Sequence, residues 1–169
     1  DVMNDLNMLR SRGGSFLGYY EHLGLIKRQD ITEPLEIEAI KLTIVPVPKR
    51  KAVSVFVFEQ DGKKLIYAPC DCLPFPYDPV LFNADVLIMG NTFVGNELKN
   101  GRTLGSDHPM RDELHSLENV LGISDMFNSK KLIITHIEED WGKTLDDYRG
   151  LEKNYQNLTF AYDGMEIEL

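Results

Sequence analysis

Two short apolar runs constrain this chain more than any other feature. Residues 84–90 (Ala84-Asp85-Val86-Leu87-Ile88-Met89-Gly90) and 132–135 (Leu132-Ile133-Ile134-Thr135) are nearly continuous in hydrophobic side chains. A run of that length without alternation fits a strand covered on both faces better than a half-exposed one. Between the two runs lies a helix pattern. Pro109 can open it, and Met110, Leu114, Leu117 and Leu121 recur at intervals of four, three and four residues, one face of an α-helix. Strand, helix and strand in succession predict an α/β fold whose sheet is covered by helices.

The flanking segments extend the same architecture. Ile37, Ile40, Leu42, Ile44 and Val47 form a long, mostly alternating stretch that Pro46 and Pro48 end. In residues 52–59, Val53, Val55 and Val57 alternate with Phe56 and Phe58. Asp61-Gly62 then signals a turn, with Leu65-Ile66-Tyr67 as the returning arm of a hairpin. Pro69, Pro74, Pro76 and Pro79 predict a loop. Further on, Thr144 can cap a helix with Asp147 near the first-turn amides and Leu145, Tyr148, Leu151 and Tyr155 along one side. Residues 158–161, the turn Asp163-Gly164 and residues 165–169 read as a closing hairpin. At the other end, Val2, Leu6 and Leu9 predict a short helix, Arg12-Gly13-Gly14 a break, and residues 16–25 a resumed helix. The chain thus divides into a partly helical leading segment, 1–34, and an α/β domain, 35–169.

Charge and composition weigh against several classes. A formal net charge of -9 lacks the basic footprint of a nucleic-acid binder. No apolar run approaches the roughly 20 residues that cross a bilayer. Cys70 and Cys72 are too close for a structural disulfide, so a reducing, cytoplasmic setting is expected. The dense basic cluster Lys49-Arg50-Lys51 reads either as a solvated turn or as a patch that receives a phosphate or another anion.

Chemistry in open α/β folds gathers beyond the carboxyl ends of strands. Asp71 follows the arm at 65–68, and His136 follows the run at 132–135. A carboxylate and a neutral imidazole suit zinc, iron or manganese ions. Taken alone, Asp71 also reads as a turn cap. His115 follows Leu114 near the edge of the helical apolar face, and reads as a half-buried, hydrogen-bonded histidine or as a general acid. His108 reads as a cap neighbour or loop ligand, and His22 as a surface or packing residue. Cys70 and Cys72 fit buried small hydrophobes. Glu138-Glu139-Asp140 is a solvated acidic loop, one member of which could orient a ligand. Trp141 walls a pocket or closes the core.

Taken together, several segments resemble the metallo-β-lactamase-fold hydrolases. Leu65-Ile66-Tyr67-Ala68-Pro69-Cys70-Asp71 is similar to the segment that supplies their metal-bridging aspartate. Ala84-Asp85-Val86-Leu87-Ile88 resembles their next buried strand, and Lys131-Leu132-Ile133-Ile134-Thr135-His136 the strand carrying their last metal-binding histidine. The ending Phe160-Ala161-Tyr162-Asp163-Gly164-Met165-Glu166-Ile167 resembles the tail of the branch with the phosphonate-breakdown phosphodiesterase and the pyrroloquinoline-quinone biosynthesis B protein. His115, before Ser116-Leu117-Glu118, resembles the proton-donor histidine of related phosphodiesterases. The resemblance covers roughly residues 35–169. It implies an αβ/βα sandwich with two divalent ions, zinc first and manganese or iron as variants, and hydrolysis by a metal-activated water.

The departures carry equal weight. The family's His-x-His-x-Asp-His cluster has no counterpart here, and Lys49 stands where a further ligand histidine is expected. The resemblance therefore implies the C-terminal half of the fold, with its N-terminal half absent from the chain and too few ligands for both ions. The expected function is metal-dependent hydrolysis of a phosphodiester-like small molecule, inactive in this piece alone. Asp71 and His136 would be ligands, His115 the proton donor, and Lys49 and Arg50 the anion holders. The missing half, or self-association, would complete it. A non-catalytic assembly member and a nucleic-acid-processing hydrolase of the same fold remain as rival readings.

Overall fold

The computed structural model describes residues 16–27, 31–48, 53–68, 70, 72–90 and 92–169. The backbone divides into two compact units, 1–33 and 34–169. In the first, helix α1 spans Phe16–His22 and leaves His22 exposed in its last turn. The helix expected around Val2 and Leu9 lies outside the described residues.

The second unit is built on a seven-stranded sheet whose spatial order is its sequence order. Strands β1 (Leu35–Ile37), β2 (Ile40–Pro46), β3 (Ser54–Gln60) and β4 (Lys63–Ala68) form an antiparallel meander. From β4 onward, β5 (Val86–Gly90), β6 (Leu132–Thr135) and β7 (Leu158–Phe160) run parallel. Helices α2 (Met110–Glu113) and α3 (Leu117–Met126) lie between β5 and β6, and α4 (Leu145–Glu152) between β6 and β7. Right-handed crossovers between parallel strands in sequence order all fall on one face of the sheet. That face carries Val55, Val57, Ile66, Leu87, Leu132 and Ile134, which form the main core with Leu117 and Val120 of α3 and Tyr148 of α4. The other face carries the cross-strand row Ile44, Phe56, Tyr67, Ile88 and Ile133, which runs from half-exposed Tyr67 to buried Ile133.

Local signals explain the elements that formed as expected. The β3–β4 hairpin turns at Asp61 and Gly62, with φ of 50° and 76°. Positive φ at both central residues is what a tight hairpin turn matched to strand twist requires. Helix α4 starts on the expected capping box, with Thr144 and Asp147 each bonding the other's backbone amide. At the starting edge of the parallel strands, Asp85 accepts from the Lys64 amide at 2.9 Å and pairs with Lys130 at 2.8 Å. Those contacts hold its carboxyl below the usual carboxylate range.

Three expectations are corrected. The long strand over residues 37–47 is two strands, because Glu38 adopts φ 55° and turns the chain so that Ile37 faces Ile40. The single helix over residues 110–121 is broken. Leu114 is extended (φ -114°, ψ 147°), and Ser116 restarts the helix in a capping box with Asn119. The break is imposed from outside the segment. The Phe93 amide donates to the His115 carbonyl at 3.1 Å, and the Leu117 amide donates to the Phe93 carbonyl at 3.0 Å. Met110 and Leu114 consequently serve a small second cluster with Phe93, Leu104 and Trp141, while Leu117 serves the main core. Third, residues 165–169 form no strand, and β7 pairs in parallel with β6 instead of opening a terminal hairpin. The turn at Asp163-Gly164 does form, with Gly164 at φ 80°. Among the described residues, no helix is long and apolar enough to cross a membrane.

Candidate functional site

Parallel pairing brings three strand ends to one edge of the sheet. Ala68 of β4 is opposite Met89 of β5, and Met89 is opposite Ile134 of β6. With neighbouring strands about 4.8 Å apart, the tips of β4 and β6 are separated by about 10 Å. The β2–β3 connection opens on the same edge, because Pro46 pairs with Ser54 and the Val47 amide donates to the Val53 carbonyl at 3.0 Å. The segments bearing Asp71, His136, Lys49 and Arg50 therefore all leave the sheet at this edge. Asp71, Lys49 and Arg50 themselves lie outside the described residues. Beside Asp71, Cys72 is buried and Cys70 partly so. Neither is joined in a disulfide, and the Cys72 Sγ donates to the Cys70 carbonyl at 3.8 Å.

His136 sits directly after β6 in a left-handed conformation, φ 53°. A residue with a Cβ disfavours that region by about 1–2 kcal/mol. Its ring is half exposed and lines a hollow of about 290 Å³ with Thr135, Ile137, Ala161, Tyr162 and Asp163. Nε2 lies 3.0 Å from Glu138 Oε1, so Glu138 is the member of the acidic loop that reaches the imidazole. Glu139 instead pairs with Lys99, and Trp141 is buried in the second cluster.

His115 is in a different setting. It occupies the α2–α3 break, 7% exposed, with Nε2 at 3.2 Å from the Cys72 carbonyl. A carbonyl only accepts, so Nε2 carries the hydrogen and Nδ1 is the lone-pair nitrogen. Burial pushes its pKa below the ordinary histidine value, and the bond to Cys72 partly opposes that shift. Phe75 packs edge-on to the ring at 6.5 Å. His115 lines a larger cleft, about 520 Å³, between residues 73–77 and α3. That cleft shares no lining residue with the hollow at His136, so no single cavity joins the two histidines. His108 accepts from the Met110 amide at 3.3 Å, as a cap neighbour.

Two further features had no sequence signal strong enough to find them. Arg111 ties the post-β5 loop together, donating to the Gly105 and Leu104 carbonyls and to Asn96 Oδ1 while lying 5.2 Å over the Phe93 ring. Gly122, in the middle of α3, opens the floor of the larger cleft, at a cost to the helix of about 1 kcal/mol relative to alanine.

Among the described residues, no group of three or more His, Cys, Asp and Glu side chains is close enough to hold a metal ion. At the β6 tip the donors in contact are one imidazole and the Glu138 carboxylate paired with it, with Asp163 also on the wall of the hollow but forming no three-donor group with them. That set does not fit a dinuclear metal centre by itself.

No family model and no curated protein matches the sequence. Solved structures do match the backbone. They include a diphosphatase of the PhnP family (15% identity, TM-score 0.56, 90% of this chain and 54% of that one). Zinc-bound PqqB from Methylobacterium extorquens matches with 17% identity and a TM-score of 0.60, over 85% of this chain and 52% of that one. The metallo-β-lactamase-fold protein YhfI from Bacillus subtilis matches at 12% identity and a TM-score of 0.53, over 86% and 59%. The fold is thus of the metallo-β-lactamase αβ/βα type. Within it, this chain spans between half and three-fifths of the length of those relatives, with one sheet and the helices on it.

Proposed function

We propose that this chain contributes one side of a metal-dependent hydrolytic site, with Asp71 and His136 as ligands and the remaining donors supplied from outside it. The observation that carries the reading is the tip of β6. A histidine held at φ 53°, half open to a hollow and faced by Glu138, is backbone strain retained at a strand end where ligands gather. Glu138 orients the imidazole and fixes which nitrogen is free, the usual task of a carboxylate behind a ligating histidine. In this reading Lys49 and Arg50, in the connection between β2 and β3, hold an anionic substrate. A phosphodiester-like small molecule is the preferred class, in keeping with the diphosphatase among the structural relatives.

His115 enters this scheme as a positioning residue. Its one N–H is committed to the carbonyl of Cys72, directly after Asp71, so it braces the segment that carries the aspartate. Burial keeps the ring neutral, which disfavours the proton-donating role. The rival reading, a non-catalytic scaffold, draws on the absence of a three-donor group among the described residues.

Zinc binding to the chain, measured by isothermal titration calorimetry, tests the proposal. Asp71→Asn and His136→Gln should each weaken binding about tenfold or more, and Glu138→Gln about tenfold. Unchanged affinity in both Asp71→Asn and His136→Gln would end the hydrolase reading in favour of the scaffold.

A further inference from the structure

The larger cleft stands apart from the strand tips and has a construction of its own. Its volume of about 520 Å³ falls within the range of small-molecule pockets, roughly 300–1,000 Å³. One wall is the stripe Glu118, Gly122 and Met126 of α3, spaced by four and so on one helix face. The opposite wall is made of rings. Phe75 and Tyr77 pack on Phe127 with centroids 5.5 and 5.8 Å apart. Tyr77 is 75% exposed, although Phe82 also packs against it at 5.8 Å. A large ring fixed by two others yet open to solvent is a ready stacking surface.

Gly122 adds an independent observation. Glycine inside a ten-residue helix is unfavourable, and packing does not call for it, since an added Cβ would meet no atom within 4 Å. The missing side chain leaves a gap facing the rings. His115 also lines the cleft. With Nε2–H committed to Cys72, Nδ1 is an acceptor without a partner among the described residues. Arg111 lines it too, but its Nε and Nη2 already donate to two backbone carbonyls and Asn96. The charge at hand does not favour an anion.

We propose that this cleft binds a small, neutral, planar aromatic molecule carrying an N–H or O–H donor, with its ring between Tyr77 and Gly122 and its donor on His115 Nδ1. The test of this site needs no metal at the strand tips. Indole is the probe, titrated into the ¹⁵N-labelled chain. It should saturably shift the amides of residues 73–77 and 118–126 at millimolar concentration. 1-Methylindole, which lacks the donor, should bind about tenfold more weakly. Gly122→Leu fills the gap and should weaken indole about tenfold or more without lowering Tm. Tyr77→Ala, a change at an exposed position, should weaken it about fivefold. Shifts that miss these residues, equal affinity for the two compounds, or unchanged indole binding in both variants overturns the proposal.

Discussion

The α2–α3 break and the tip of β6 each present a histidine, and the two are held in opposite ways. At the break, His115 is buried, its backbone carbonyl and its Nε2–H both bonded, in a segment that would otherwise continue a helix. At the tip, His136 is half exposed with a strained backbone and a single carboxylate contact. The first arrangement is what stability builds; the second is what stability alone would replace with glycine. Under the proposed function, the contrast separates a residue that supports the site from one that would face ligand.

Substitutions can break or sharpen that contrast. The largest effect belongs to His115→Ala, which leaves a void and removes the partner of the Cys72 carbonyl. It should cost about 2–3 kcal/mol, measured by denaturant unfolding. A loss below about 0.5 kcal/mol would remove His115 from the packing and erase the difference. Next comes pH. The folded pKa of His115 lies below its unfolded value near 6.5, so the unfolded state binds the proton first. The stability from the neutral ring is complete above that unfolded value and is lost as pH falls through the folded one, with a slope of at most about 1.4 kcal/mol per pH unit. His115→Gln should flatten this slope, and a slope kept in that variant assigns it elsewhere.

Smaller and of opposite sign is His136→Gly. Relief of the left-handed backbone should stabilise the chain by about 0.5–1 kcal/mol while zinc binding falls. A destabilised His136→Gly chain would mean that the imidazole serves packing after all. Gly122→Ala should likewise stabilise by about 0.5–1 kcal/mol, since its methyl group meets open space. Smallest is Glu138→Gln, an exposed pair whose loss should change stability by less than about 0.5 kcal/mol. Its effect belongs to ligand affinity, and a large drop in Tm would contradict that assignment.

Much of this was legible in local sequence, but not all. Asp61-Gly62 specified the β3–β4 turn because both residues tolerate positive φ. Thr144 and Asp147 specified the start of α4 because capping is satisfied within one turn. The two continuous apolar runs became β5 and β6, buried as their composition required. The helix over residues 110–121 misled because Met110, Leu114, Leu117 and Leu121 keep helical spacing across a break. Phe93, more than 15 residues upstream, supplies the bonds that make the break. His115 consequently moved from a helix face to a buried brace, a placement no periodicity encodes.

Sequence alone determined most of the strands and helices, because hydrogen bonds, caps and turn dihedrals act within a few residues. It also placed His136 directly after a buried strand. Tertiary structure decided the rest. It chose parallel pairing for β7 over a closing hairpin and gathered the strand ends on one edge. It opened a ring-walled cleft beside Gly122. Those outcomes depend on which surfaces meet, and burial energy is settled between residues far apart in the chain.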